Sequence, residues 1–378
     1  MIYNDKCIYT ELANSINKMT LKFFKKFVKQ FLLQSPGTLN INKNKLQIFN
    51  NCKFLPLKKE DFDSNQINYK PFLNSFGELN KDKIFYVIKR TPGTGLFSNV
   101  TFVLNHLKIA KNNNFIPIVD MQNFITIYNE IGPINNTLNA WEYFFKNLSE
   151  YKLSEVYKSK NVLIAENKFY NFFSYSINDL SLKKLYKDHI FLQGHIEEKI
   201  NLIKKEKFYN KKVLGIHFRG SSYKQSPGHP FPASESQMLD LVKKILNNQK
   251  VDLIFLATEE LNYLKLFINN YKEKLFFIKD CYRSNKNDAF KKYPRENHRY
   301  KLGKDIILET YLLSLVDYFV YVNSNVSSAA LTMNLNKNQI TYEIENGYNS
   351  KNQLISPWIW YLKKILPTYL GGFGKIKL

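Results

Sequence analysis

The chain has 378 residues, with 55 Lys and Arg against 32 Asp and Glu, so its formal net charge is +23 and its pI is about 9.6. An apolar content of 44% argues against disorder, and the length favours two α/β domains over one core. Three widely spaced cysteines argue against a disulfide framework or a zinc site. With polar residues after Met1 and no long apolar run, the sequence predicts a cytoplasmic protein without a signal peptide or a membrane-spanning helix.

Arginine is scarce among the basic residues, and four of the five arginines lie between Arg219 and Arg299. Lysine is a hydrated point charge, whereas the arginine fork binds phosphate or carboxylate bidentately. The positive charge predicts anionic partners. Because the chain has no arginine-rich tract, RNP-type motif or zinc-finger spacing, we expect no specific nucleic acid among them.

The first predicted element is a basic amphipathic helix over residues 11–34. Two placements are open for it: peripheral contact with the inner face of an anionic membrane, or packing on its own domain with the lysines in solvent. Residues 40–80 are polar and irregular and are predicted to form loops. The Asp61 and Asp63 pair lies in this stretch rather than at a strand end, so we expect no metal.

Alternating strands and helices follow, beginning with strands over 84–88 and 115–120 that are joined by a helix over 97–111. A second series begins near residue 212. Its predicted strands lie at 213–216, 251–257, 275–278, 318–322 and 339–343. Its predicted helices lie at 235–246, 259–271, 305–315 and 327–334.

This alternation predicts an α/β fold with two Rossmann-like domains, each built on a parallel sheet covered on both faces. We expect an N-terminal domain over residues 1–200 that includes the helical extension, and a second domain over 201–345. The remaining residues, 346–378, are predicted to form a tail whose aromatic helix packs back on the first domain.

The strongest candidate site is His217-Phe218-Arg219-Gly220, directly after a buried strand, where doubly wound folds bind ligands. Side chains alternate along a strand, so His217 and Arg219 are expected to point the same way, and Gly220 permits a close approach. The arginine suits a diphosphate, and the histidine suits a base, sugar or phosphate. The alternative is a solvent-exposed pair at a strand end.

A second candidate is the strand-to-helix turn with Ser324, Ser327 and Ser328, which suits either an anion cradle or ordinary helix capping. A third comprises Arg295, Arg299 and Glu309, and it suits either a nucleobase contact or a salt-bridged helix face.

The fourth candidate is a glycine-rich turn with Gly93, Gly95 and Asn99. It lacks both the Walker A pattern and the dinucleotide fingerprint. We therefore expect it to line a cleft rather than to bind phosphate by itself.

Five motifs in this order resemble the fucosyltransferase superfamily, which includes the α1,6-fucosyltransferases, the nodulation fucosyltransferase and the protein O-fucosyltransferases. Together they cover about residues 85–335. The matching segments are 93–99, 213–220, 256–260, 298–318 and 324–330.

The resemblance implies a GT-B architecture, in which two Rossmann-like domains face a cleft, and inverting transfer from a GDP-sugar without a metal. It implies that the N-terminal domain lies on the acceptor side and that the second domain binds the donor. By family position, Arg219 holds the β-phosphate, and His217 and Glu309 lie on the guanine side. The same nucleotide site would include Gly93, Gly95, Asn99, Thr258, Arg299, Ser324, Ser327 and Ser328.

One departure from the family concerns the general base. Many relatives have an acidic residue soon after the HxR motif, whereas this chain has Ser221-Ser222-Tyr223-Lys224. The candidates for the base are His229 and Glu296, which would act beside Arg219.

The expected function is transfer of fucose, or a related sugar such as a heptose, to a hydroxyl of a cell-surface glycan of the capsule or lipopolysaccharide type. A lipid-linked acceptor would suit the positive charge. Two alternatives are a nucleic-acid-binding α/β protein and a catalytically inactive glycan-binding relative.

Overall fold

The computed structural model describes residues 53–56, 72–90, 93–165, 180–220, 223–286, 288–333, 335–374 and 376. The helix predicted over residues 11–34 lies outside these ranges, as do Asp61 and Asp63. In the part of the chain that is described, no helix is long and apolar enough to cross a membrane.

The first sheet has five strands in the order β1-β2-β5-β3-β4. They are β1 (Lys53–Pro56), β2 (Phe72–Ser75), β3 (Phe85–Ile88), β4 (Ile116–Val119) and β5 (Val162–Ile164). Strand β3 pairs in parallel with β4 and β5, whereas β2 pairs antiparallel with β1 and β5. The prediction of loops over residues 40–80 is therefore wrong for β1 and β2. Each strand is only four residues long and mixes apolar with polar residues, so neither forms the continuous apolar run of a buried parallel strand.

The helices of the first half include α1 (Leu96–Asn112), which connects β3 to β4 as predicted. Three further helices, α2 (Leu153–Val156), α3 (Leu180–His189) and α4 (Gly194–Ile203), had no counterpart in the sequence prediction. A π-helical turn over Lys204–Phe208 extends α4 toward the second sheet.

The second sheet is parallel throughout and has the order β10-β9-β6-β7-β8. Its strands are β6 (Val213–His217), β7 (Leu253–Ala257), β8 (Leu275–Phe276), β9 (Tyr318–Tyr321) and β10 (Ile340–Glu343). Its helices are α5 (Glu235–Asn248), α6 (Leu261–Tyr271), α7 (His298–Leu313) and α8 (Asn325–Met333). The α/β fold with parallel strands in both halves is confirmed.

The strand order of the second sheet reverses at β6: β7 and β8 are added on one side of it, and β9 and β10 on the other. Every residue of β6 is buried, which explains its apolar sequence. The chain proceeds from β6 to β7 on one side and returns at β9 on the other. Open α/β sheets bind ligands at such a reversal, at the carboxyl ends of the strands.

Helix α7 joins the two halves. The ring of Tyr300 stacks on Phe144, with the ring centroids 5.7 Å apart, and its backbone N–H donates to Glu130 Oε1 at 2.9 Å. A Cβ at Gly303 would lie 2.3 Å from the Phe144 ring, so only glycine permits this approach. Residues 52–378 form one compact unit, and the domain boundary at residue 200 stays a prediction.

The tail contains α9 (Ser356–Ile365), as predicted, but its contacts lie on the second half. Trp360 is buried, and its indole Nε1 donates to the carbonyl oxygen of Pro232 at 2.9 Å. Gln237 on α5 donates to the Gly374 carbonyl oxygen at 2.8 Å. The prediction that the tail packs on the first domain is therefore corrected, because the pocket for Trp360 is built by the second half.

Candidate active site

A cavity opens at the carboxyl ends of β6 and β7, at the reversal of the strand order. Residues from both strand ends, from the loop after β8 and from α7 and α8 line it. The lining comprises His217, Phe218, Arg219, Thr258, Glu259, Cys281, Tyr282, Ser284, Asp288, Ala289, Phe290, Leu302, Asp305, Ile306, Glu309 and Val326. The sequence prediction named His217, Arg219, Thr258 and Glu309, and the structure brings these four together.

His217 is the last residue of β6 and is buried. Burial, with a smaller contribution from the Arg219 charge, lowers the pKa of His217 to about 3, so the imidazole is neutral at pH 7. Its Nδ1 atom is buried without a hydrogen-bond partner. An orphaned ring nitrogen in a cavity wall costs free energy until a ligand bonds to it.

Arg219 places a guanidinium in the same cavity. Its Nη1 lies 3.2 Å from Glu259 Oε2, and its guanidinium carbon lies 4.6 Å from the centre of the Tyr223 ring. These two contacts hold the Arg219 guanidinium group at the carboxyl end of β6. An incoming anion can replace Glu259 as the partner of Arg219 without leaving a buried charge unpaired.

The four acidic side chains that line the cavity each lie beside a cationic side chain. Three of the four partners are arginines, which accounts for most of the scarce arginines of this chain. The pairs and their N–O distances are Arg219–Glu259 (3.2 Å), Arg283–Glu309 (3.2 Å), Arg295–Asp305 (2.9 Å) and Lys292–Asp288 (2.9 Å). Only Arg219 among these arginines lines the cavity, so it is the one positioned for a ligand.

Glu309 lies on α7 and faces this cavity. Burial raises the pKa of Glu309 to about 8, although the Arg283 charge opposes the rise. Near neutral pH the carboxyl group is therefore largely protonated and offers both an O–H donor and a carbonyl acceptor. This combination suits the edge of a nucleobase, which presents donors and acceptors side by side.

We expect replacement of Glu309 by glutamine to remove a pH dependence of stability. Glu309 has a raised pKa in the folded chain, so its contribution to the free energy of unfolding is present below about pH 4.5 and is lost as the pH rises through about 8. Urea unfolding of wild type and Glu309→Gln between these limits measures it. As the pH rises, the free energy of unfolding of wild type should fall relative to that of the variant. If the two free energies change with pH in parallel, the assignment is wrong.

The serines after β9 cap a helix in this structure, which is one of the two roles that the sequence allowed for them. The backbone N–H of Ser324 donates to Ser327 Oγ at 2.9 Å, and the backbone N–H of Ser327 donates to Ser324 Oγ at 3.1 Å. Ser328 Oγ donates to Asn323 Oδ1 at 3.3 Å. These hydroxyls fix the start of α8, and the α8 residue in the cavity wall is Val326.

The glycine-rich turn of the first half lies away from the Arg219 cavity. Gly93 has φ +75°, which glycine adopts without strain, and Asn99 Oδ1 accepts from the Thr94 backbone N–H at 3.0 Å. Asn99 lines a separate small cavity with Tyr128. The Tyr128 ring packs edge-on against Phe290, which lines the Arg219 cavity, so one layer of rings separates the two. Gly95 precedes α1 and is exposed.

Three further predicted site residues lie outside the cavity lining. Arg299 places its guanidinium over the Tyr293 ring, with the guanidinium carbon 5.2 Å from the ring centre. His229 is exposed, with Nδ1 3.0 Å from the Pro227 carbonyl oxygen, and Glu296 is exposed as well. The structure thus does not bring either candidate base to the cavity, since each lies on a surface loop.

The sequence analysis missed several residues of the site, chiefly Arg283, Asp288 and Tyr282. Arg283 is nearly buried and donates to the carbonyl oxygens of Ile278 and Cys281, so it shapes the loop after β8. The available signal was that Arg283 is one of only five arginines in the sequence. No sequence pattern indicated Asp288 or Tyr282, because that loop has no periodicity.

A buried ion pair lies behind Arg219. Lys224 Nζ contacts Glu260 Oε1 at 2.9 Å, and it lies 4.6 Å and 4.8 Å from the ring centres of Tyr263 and Trp360. A Cβ at Gly220 would lie 2.3 Å from Glu260 Oε1, so this glycine makes room for the carboxylate. Tyr263 on α6 and Trp360 in the tail thereby cover the Lys224 ammonium group.

In the described residues, no group of three or more His, Cys, Asp or Glu side chains is arranged to hold a metal ion. The expectation that no metal takes part stays a prediction.

No protein-family model and no curated protein matches the chain. Several solved structures are similar. NodZ α-1,6-fucosyltransferase co-crystallized with GDP shares 12% identity over 70% of this chain and 96% of its own, with a TM-score of 0.46. Fucosyltransferase NodZ from Bradyrhizobium shares 13% over 66% and 92%, with a TM-score of 0.44. POFUT1 in complex with GDP shares 9% over 70% and 99%, with a TM-score of 0.44. Because these TM-scores lie below 0.5, we infer function from the geometry of the site and from the sequence motifs.

Proposed function

We propose that the protein is a glycosyltransferase that binds a GDP-sugar in the cavity at the ends of β6 and β7. The observation that carries the proposal is the placement of Arg219, one of only five arginines, in the wall of that cavity at the reversal of the strand order. The order of the motifs that resemble the fucosyltransferase superfamily supports the same donor class.

In this proposal the diphosphate takes the place of Glu259 as the partner of Arg219. The guanidinium fork donates to the phosphate oxygens, and the positive end of the α8 dipole adds a favourable field. Both contributions stabilise the charge that develops on the leaving diphosphate as the bond to the sugar breaks.

The neutral groups of the cavity are assigned to the nucleobase. His217 offers the unpartnered Nδ1, and protonated Glu309 offers a donor and an acceptor. A purine with adjacent keto and amino groups presents a complementary edge. The finer parts of the proposal are fucose or a related sugar as the donor group, inversion at the anomeric carbon, and a surface-glycan hydroxyl as the acceptor.

Thermal unfolding with nucleotides tests the donor assignment. Wild type is measured with GDP, UDP, CMP and ADP, each with and without magnesium, beside Arg219→Ala and His229→Ala. We expect GDP at about 100 times its Kd to stabilise wild type and His229→Ala by about 2.7 kcal/mol. Arg219→Ala should lose this stabilisation, since His229 lies outside the cavity and Arg219 within it.

Two results would overturn the proposal. One is an equal response to all four nucleotides in both variants. The other is no response to any of them together with tight, strongly salt-dependent binding of arbitrary oligonucleotides, which would assign the positive charge to nucleic acid. Release of GDP from GDP-fucose on addition of a glycan acceptor then separates an active enzyme from an inactive relative.

A further inference from the structure

Tyr223 lies against the arginine of the cavity, although it is not itself part of the cavity lining. The Arg219 guanidinium carbon lies over the Tyr223 ring, 4.6 Å from its centre, and at this distance a cation is attracted to the ring face. Burial raises the pKa of the Tyr223 phenol, although the Arg219 charge opposes the rise. The ring is therefore uncharged at neutral pH, and it holds the cation without a charge of its own.

The position of Tyr223 is fixed by contacts on several sides. Its backbone N–H donates to the Gly220 carbonyl oxygen at 2.9 Å. The next residue, Lys224, is buried, and its Nζ lies 2.9 Å from Glu260 Oε1. The His229 ring packs edge-on against the Tyr223 ring, with the ring centroids 4.9 Å apart. The tyrosine ring is thus a fixed support beside a long side chain that has many rotamers.

The two contacts of Arg219 differ in what they leave for a ligand. Glu259 lies 3.2 Å from Arg219 Nη1, so its carboxylate occupies a donor that a phosphate oxygen would need. The contact to Tyr223 is an attraction between the cation and the ring face, and it does not require a hydrogen bond from the fork. A bound diphosphate therefore has to displace Glu259, whereas Tyr223 can keep its contact.

We propose that Tyr223 is a positioning residue that keeps the Arg219 fork oriented for the diphosphate once Glu259 has been displaced. This role rests on the proposed function, since the ligand of Arg219 is the diphosphate of the donor. A fork that is already held loses less rotamer freedom when it binds phosphate. Removal of the ring should therefore weaken diphosphate binding although the ring itself does not touch the ligand.

Calorimetric titration with GDP and with inorganic pyrophosphate tests the role of Tyr223. We expect Tyr223→Leu to raise the Kd of both probes by about tenfold, and Tyr223→Phe to stay within about twofold of wild type, since phenylalanine keeps the ring face. The matched control is Tyr293→Leu. It removes the ring that lies 5.2 Å from the Arg299 guanidinium carbon, outside the cavity lining, and it should bind both probes like wild type.

The Arg219→Lys background separates positioning from a general loosening of the loop. An ammonium group is a point charge and has no fork to orient, so Tyr223→Leu should change the Kd of pyrophosphate by about twofold or less in this background. A loosened loop would instead weaken binding by the same factor in both backgrounds.

Four results would overturn the proposal. Equal GDP affinities of wild type and Tyr223→Leu would remove the role of Tyr223 and leave the GDP-sugar assignment in place. Equal losses in Tyr223→Phe and Tyr223→Leu would assign the effect to the hydroxyl instead of the ring. Equal losses in the Arg219 and Arg219→Lys backgrounds would show a structural role. Failure of wild type to bind either probe would refute the diphosphate site itself, and the proposed function with it.

Discussion

Replacing Arg219 with lysine is expected to lower kcat/KM for sugar transfer by about 10²- to 10³-fold. The substitution keeps the positive charge but removes the fork, so only one donor group can reach the diphosphate. The loss should appear mainly in kcat, because contacts to the leaving group strengthen as charge develops on it. Steady-state kinetics with the GDP-sugar identified by the nucleotide experiment measures both constants.

Arg299→Lys is the matched control for this prediction. Sequence reasoning placed Arg299 in the nucleotide site, whereas its guanidinium stacks on Tyr293 outside the cavity lining. We therefore expect kcat/KM to stay within a few-fold of wild type. Equal losses in the two variants would refute the special role of Arg219, and a loss in Arg299→Lys alone would restore the assignment made from the sequence.

Replacing Lys224 with methionine is expected to lower the free energy of unfolding by about 3–5 kcal/mol. Lys224 and Glu260 are both buried, and the substitution leaves the Glu260 carboxylate without its ammonium partner in the interior. The methionine side chain still fills the space between Tyr263 and Trp360, so the loss reports the charge rather than a cavity. Urea denaturation monitored by tryptophan fluorescence gives the value.

Two further variants make this prediction specific. Lys224→Met/Glu260→Gln removes both charges and should recover most of the loss, because no unpaired charge remains. Lys81→Met removes one partner of an exposed pair with Glu78 and should leave stability unchanged within error. If Lys224→Met unfolds no more easily than Lys81→Met, the buried pair does not stabilise this loop.

The periodic part of the fold was predictable from the sequence. Buried parallel strands such as β6 and β7 are continuous apolar runs, so they were placed within two residues of their observed bounds. The start of α7 was placed seven residues late, at 305 instead of His298. Its first turns bury His298 and Gly303 rather than an apolar stripe, because their surroundings are set by the first half of the chain.

The site was predictable to the extent that single residues carried a chemical signal. His217 and Arg219 stand out by strand position and residue type, and Glu309 by its place one turn after Asp305. The search for a base failed for a different reason. It named His229, ten residues after Arg219, and Glu296, beside Arg295. The carboxylates of the cavity come instead from the segment after β7, the loop after β8 and helix α7.

Strand β6 has a consequence for how the nascent chain matures. It pairs on one side with β7, the next strand to leave the ribosome, but on the other with β9, as in the pairing of Leu214 with Tyr318. Until β9 has been made, the apolar edge of β6 is open to wrong partners, and Arg219 stands beside an unfinished sheet. Trp360, whose ring covers Lys224, is synthesised later still. Chains that terminate before β9 therefore carry Arg219 but lack both the strand that completes the sheet beside it and helix α8.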